Sequence, residues 1–186
     1  MAFLILHGWE NHRPEGHWQR HLHDELVARG ELVRYPQLPD ADAPRLDEWL
    51  AALRTEIAAL EGAGPLTVIC HSLACALWLR AAQLDPALEA DRLLLVAPPA
   101  ASVIEPTVVG DFAVRPTDAW RTGAREAVLV ASDLDPFCPA GAGVEYGALG
   151  LPLQLVPGGG HLALNDGFGA WPGVLAWALD GAFPAA

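Results

Sequence analysis

A chain of 186 residues, 52% of them hydrophobic, is long enough to bury a substantial core, and it reads as one domain over residues 1–186. All 11 of its basic residues are arginine, which excludes a lysine Schiff base, a Ser-Lys dyad and a Walker-type phosphate loop. The formal net charge of -12 argues against nucleic acid or an anionic membrane surface as partner.

The N-terminal run Phe3-Leu4-Ile5-Leu6 reads as a buried strand. It is too short for a membrane span and lacks the basic leader of a signal peptide. Cysteines stand only at positions 70, 75 and 138 and form no C-x-x-C pair, so they are expected as buried thiols in a reducing cytoplasm. His7-Gly8-Trp9 opens a polar loop. Trp18, Leu22 and Leu26 then recur at helical spacing, with Gly30 as the stop. Glu31 to Tyr35 is a second, shorter strand, and prolines 36, 39 and 44 fill the loop after it. Leu46, Trp49, Leu50, Leu53, Ile57 and Leu60 line one face of a second helix.

Leu66-Thr67-Val68-Ile69-Cys70 is a third strand, and it runs through His71-Ser72 into the helix formers Leu73-Ala74-Cys75-Ala76-Leu77. A serine at such a strand-to-helix junction has the setting of a nucleophile elbow, whose usual pattern is G-x-S-x-G. Cys70 and Ala74 stand where that pattern has glycines; both are small enough for strand and helix to pass closely. An ordinary serine N-cap would give the same local sequence. Arg92 to Val96 is the fourth strand. Pro98 to Glu126 mixes proline, glycine and isolated apolar residues, with one helix expected near Asp118 to Trp120. Ala127 to Ala131 is the fifth strand, one short helix is expected between Cys138 and Leu149, and Leu151 to Val156 is the sixth strand. Gly158-Gly159-Gly160 reads as a flexible turn before His161. The last helix starts at Trp171-Pro172 and uses Val174, Leu175 and Ala178.

Strands that are continuous apolar runs and alternate with helices predict an α/β fold: a three-layer α/β/α sandwich around a six-stranded parallel sheet. The expected strand order is 2-1-3-4-5-6, with right-handed crossovers. Ser72 follows strand three, Asp135 strand five and His161 strand six, so all three belong to the loops at the carboxyl edge of the sheet, where sites form. Serine needs an imidazole to accept its proton, and a buried carboxylate orients that imidazole and stabilises its cation. Ser72, Asp135 and His161 are therefore the expected catalytic residues. Asp133 competes with Asp135, being nearer the strand end. Pro136 favours Asp135, because it halts the strand and fixes a turn there. The expected oxyanion donors are two backbone N–H groups, those of Leu73 at the start of a helix and of Trp9 after the first strand.

The stretches Ile5-Leu6-His7-Gly8-Trp9, His17-Trp18, Cys70-His71-Ser72-Leu73-Ala74, Asp135-Pro136-Phe137-Cys138-Pro139 and Gly159-Gly160-His161 resemble the α/β-hydrolase superfamily. More closely, they resemble its small YdeN-like, retinoblastoma-binding-protein-nine serine hydrolases. The resemblance spans nearly the whole chain. It implies a compact hydrolase without a large cap and a Ser-Asp-His triad on the three positions just argued. Asp135 and Pro139 also match that family's D-x-x-x-P pattern.

Other residues point to packing. His71 adjoins Ser72 but suits a structural or pocket-rim place. His17 and His21, four apart, could share a helical face as metal ligands, yet no H-E-x-x-H and no third ligand accompany them, so no metal or other cofactor is expected. Trp49 and Trp78 belong to the core. A shallow apolar acyl pocket is expected from Trp9, the Pro98-to-Trp120 segment and Phe137. The function expected is hydrolysis of a small-molecule ester, thioester or small amide through an acyl-enzyme. The competing expectation is a protein-interaction module that keeps the fold and turns over little. The complete Ser-Asp-His set favours the first.

Overall fold

The computed structural model describes residues 1–183. Six strands, β1 (Ala2–Leu6), β2 (Leu32–Arg34), β3 (Leu66–His71), β4 (Ala90–Val96), β5 (Ala124–Ser132) and β6 (Leu153–Val156), form one sheet. Every pairing is parallel and the order is β2-β1-β3-β4-β5-β6, the order expected from the sequence. The main helices are α1 (Trp18–Ala28), α2 (Leu46–Ala58), α3 (Leu73–Leu84) and α6 (Pro172–Asp180); two single-turn helices, α4 (Ala101–Ile104) and α5 (Ala142–Glu145), follow β4 and β5. No described helix is long and apolar enough to cross a membrane.

Side chains alternate across the sheet, so each central strand feeds two cores. Leu4 and Leu6, Val68 and Cys70, and Leu93 and Leu95 pack on the face covered by α2 and α3, together with Trp49 and Trp78. Phe3 and Ile5, Ile69, and Leu94 and Val96 pack on the other face, against Trp18 and Leu22 of α1 and Val174 and Trp177 of α6. That is why the strands carry no polar alternation. Two of the buried indoles find acceptors: Trp49 Nε1 donates to the carbonyl of Pro39 at 2.7 Å, and Trp78 Nε1 to that of Thr122 at 2.8 Å.

Local signals set several boundaries. Gly30, at φ 79°, takes the left-handed position just after α1, and Pro172 opens α6 in its first turn. The helix expected near Asp118 to Trp120 is instead a turn, in which the Trp120 N–H donates to the Thr117 carbonyl at 3.0 Å. Pro116 lies just before it, and too few residues remain before β5 for a helix to repeat its hydrogen bond. The helical turns of that long segment lie earlier, at α4 and at a 3-10 turn, Gly110–Phe112, whose Phe112 is fully buried against Trp49.

Candidate functional site

The carboxyl ends of β1, β3, β4, β5 and β6 converge on one edge of the sheet, and each contributes a loop there. Ser72 occupies the single residue between β3 and α3, with φ 55° and ψ -124°. A serine in this region is strained, and the sharp reversal lifts its hydroxyl off the sheet. Cys70 and Ala74 on either side are fully buried, which is the close passage of strand and helix that their small size permits.

His161 follows β6, and its Nε2 lies 2.8 Å from Ser72 Oγ. Its Nδ1 lies 2.9 Å from both oxygens of Asp135. A carboxylate only accepts, so Nδ1 carries the hydrogen and the Nε2 lone pair faces the serine hydroxyl. Asp135 is 4% exposed, and its Oδ1 also accepts the Phe137 N–H at 2.8 Å, which fixes the carboxylate from a second side. The structure thus brings Ser72, His161 and Asp135 into one hydrogen-bonded chain. Asp133 does another job: it is exposed, and its Oδ1 accepts the Gly158 N–H at 2.7 Å, pinning the turn that leads to His161.

That turn is packed rather than loose. Gly159 is buried, and a side chain on Gly160, at φ 56°, would meet the Asp166 carboxylate at 2.3 Å. The Asp166 carboxylate accepts the backbone N–H groups of His161 and Ala163, at 3.0 and 3.2 Å. From the other side, Trp18 Nε1 donates to the Leu162 carbonyl at 2.9 Å. His71 Nε2 lies 3.0 Å from the His161 carbonyl, and since a carbonyl only accepts, this nitrogen carries the hydrogen. His71, expected from the sequence in a structural or pocket-rim place, is buried and holds the backbone of the neighbouring imidazole.

Two residues of the β1–α1 loop complete the arrangement, and sequence reasoning gave neither a role. A side chain on Gly8 would come within 2.7 Å of Ser72 Cβ, so only glycine lets this loop pass over the serine. His7 Nδ1–H donates to the Gly8 carbonyl at 2.8 Å, while its Nε2 accepts the Leu38 N–H at 2.9 Å. The approach of Gly8 to the serine exists only once β1 lies beside β3. Leu73 opens α3, so its N–H belongs to the first-turn donors that have no intrahelical acceptor. Trp9 donates its indole N–H to the Asp42 carbonyl at 3.0 Å and walls the site.

Three histidines crowd this edge in the neutral state. Burial depresses the pKa of His7 and of His17 to about 4, and drives His71 well below the ordinary imidazole value. No competing cation from these rings then faces His161. His17 caps α1, its Nδ1 accepting the Gln19 N–H at 3.2 Å. His21 lies on a different surface, beside Trp171, so the two do not form the metal pair that their spacing allowed. Cys70, Cys75 and Cys138 are buried and unpaired, and burial raises the pKa of each thiol.

Two hollows flank Ser72 and His161. One, of about 120 Å³, is lined by Leu73, Pro99, Ile104, Phe137 and Trp9. Trp9 and Phe137 are thus together, and of the Pro98-to-Trp120 segment Pro99 and Ile104 join them. The other, of about 440 Å³, lies between the β1–α1 loop and the segment after His161.

The fold has close counterparts. The ydeN gene product of B. subtilis matches with a TM-score of 0.80 at 23% identity, covering 96% of each chain. A YdeN-like hydrolase from Pectobacterium atrosepticum matches at 0.72 with 22% identity, over 94% of this chain and 86% of that one. Est1E from Butyrivibrio proteoclasticus matches at 0.65 with 15% identity, over 96% and 87%. No curated protein matches the sequence. The family model described as "Serine hydrolase" matches residues 3–178, nearly the whole chain that builds this sheet and this edge, and the protein belongs to that family.

Proposed function

We propose that the protein is a serine esterase that acts on short-acyl esters through an acyl-enzyme. The observation that carries this reading is the chain Ser72 Oγ–His161–Asp135, at 2.8 and 2.9 Å, beside a small apolar pocket. Ser72 Oγ attacks the ester carbonyl carbon while His161 Nε2 takes its proton. The carbonyl oxygen gains the charge and is held by the N–H groups of Leu73 and Trp9. The carbon–oxygen bond to the alcohol breaks, and His161 returns the proton to the departing oxygen. Water then attacks the acyl-serine, giving up a proton to His161. The acid leaves, and Ser72 recovers its proton. Asp135 holds the imidazole tautomer throughout and stabilises its cation.

A pocket of about 120 Å³ holds roughly four water-sized groups at about 30 Å³ each. That volume suits acetyl to butyryl chains, with Ile104 and Phe137 among the side chains around it. Turnover of a matched ester series from acetyl to decanoyl tests this. The expected kcat/KM is greatest at two to four carbons and at least tenfold lower at eight or more, since each misplaced methylene costs about 1 kcal/mol. Preference for long chains would overturn the reading.

A further inference from the structure

The second hollow differs from the first in chemistry as well as in size. Its rim is set by Glu10, Asn11, His12 and Asn165, with Trp9 as an aromatic wall. Asn11 Oδ1 accepts the Arg13 N–H at 2.7 Å, which leaves the Asn11 NH₂ group as a donor. Beneath the hollow, His17 Nε2 and His71 Nδ1 are buried and lack a protein partner. Because His17 Nδ1 accepts from Gln19, its Nε2 carries a hydrogen. Because His71 Nε2 donates to His161, its Nδ1 is a lone pair. The rings stand 5.3 Å apart, one a donor and the other an acceptor. This pair is closed to solvent, so recognition in the hollow falls to the rim side chains.

We infer that this hollow receives the departing alcohol and that the alcohol is a polyol of sugar size. The inference rests on the esterase reading above. An enclosed apolar pocket gains from an alkyl group, whereas a polar cleft gains from a partner that both donates and accepts. Several hydroxyls on an apolar ring frame meet the Asn11 and Asn165 amides and the Glu10 carboxylate beside the Trp9 indole face. The volume, about 440 Å³, falls in the range of small-molecule sites of roughly 300–1,000 Å³. A phosphate-bearing leaving group, as in a carrier thioester, finds no counter-charge. No arginine lines either hollow, the chain has no lysine, and Glu10 lines both. The nearby Arg13 is engaged with the Tyr35 carbonyl and the Gln37 side chain.

The test compares three substrates that share one acyl group: a methyl hexoside monoacetate, ethyl acetate and acetyl-coenzyme A. Two or three added hydrogen bonds should favour the hexoside over ethyl acetate by about tenfold or more in kcat/KM, with acetyl-coenzyme A slowest. Asn165→Leu, at an exposed position where folding is not at stake, should cut the hexoside-to-ethyl ratio by about threefold or more. Fluorophosphonate labelling of the same samples reports on the serine itself. A ratio near one, faster acetyl-coenzyme A turnover, or a ratio that Asn165→Leu leaves unmoved overturns this inference alone. Absence of both labelling and any acetate hydrolysis overturns the esterase reading beneath it.

Discussion

Two aspartates two residues apart have been given different work, and the difference is visible in what each touches. Asp135 is buried and meets the ring nitrogen of His161; Asp133 is exposed and meets only the Gly158 backbone N–H. An amide at position 135 offers a donor where His161 Nδ1 needs an acceptor, which favours the wrong tautomer. Asp135→Asn should therefore lower kcat by roughly 10²–10⁴-fold, with a small change in melting temperature. Asp133→Asn retains an oxygen that can accept from Gly158, and kcat should stay within about threefold. Steady-state kinetics on the two variants with an acetyl ester checks both, and the reverse ranking would exchange the assignments. The sequence made this choice readable because Pro136 forces the chain to turn at Asp135. It did not make the Asp133–Gly158 contact readable, since that depends on how the β5 and β6 loops meet.

At the scale of elements, the site depends on one loop passing over another. The loop after β1 reaches across the end of β3, and Gly8 is the point of contact. A methyl group there must displace either the loop or Ser72, because the nearest atoms are Ser72 Cβ and the His71 carbonyl rather than the end of a flexible chain. Gly8→Ala should reduce fluorophosphonate labelling by at least about tenfold while far-ultraviolet circular dichroism stays native, since a misplacement of about 1 Å can cost 10²-fold. Wild-type labelling by that variant would show that the loop is free to shift. The apolar runs of β1, β3, β4 and β5 announced a covered parallel sheet, and Ser72 at a strand-to-helix junction announced the sharp turn. The short helices after β4 were less readable. Their apolar residues, Ile104 and Phe112, serve a pocket and a core from a segment without periodicity.

Across the whole molecule, the buried histidines tie stability to pH. His7 and His17 titrate near 4 in the folded protein and near 6.5 when unfolded, so the unfolded chain binds protons first as pH falls. Their neutral burial is fully stabilising above about pH 6.5 and is lost as the pH drops through about 4. A shift of that size is worth about 3 kcal/mol for each ring, by the usual equivalence between pKa and free energy. His71, depressed for the same reason, acts in the same direction. The melting temperature should fall by about 10 °C or more between pH 7.5 and pH 4.5. Differential scanning calorimetry measures this directly, and a flat profile over that interval would contradict the assignment of three neutral buried rings. The sequence showed seven histidines but not which would be buried, because burial follows from the approach of α1 and the β6 loop to the end of β3.

The catalytic expectations hang on Ser72 being the nucleophile that His161 activates. The most direct measurement is intact-protein mass spectrometry after exposure to a fluorophosphonate, with the modified residue located by peptide fragmentation. The account predicts a single adduct on Ser72, formed quickly by the wild-type protein and lost in Ser72→Ala, whose circular dichroism and melting should match those of the parent. An adduct on any other residue, or undiminished labelling of Ser72→Ala, would contradict it.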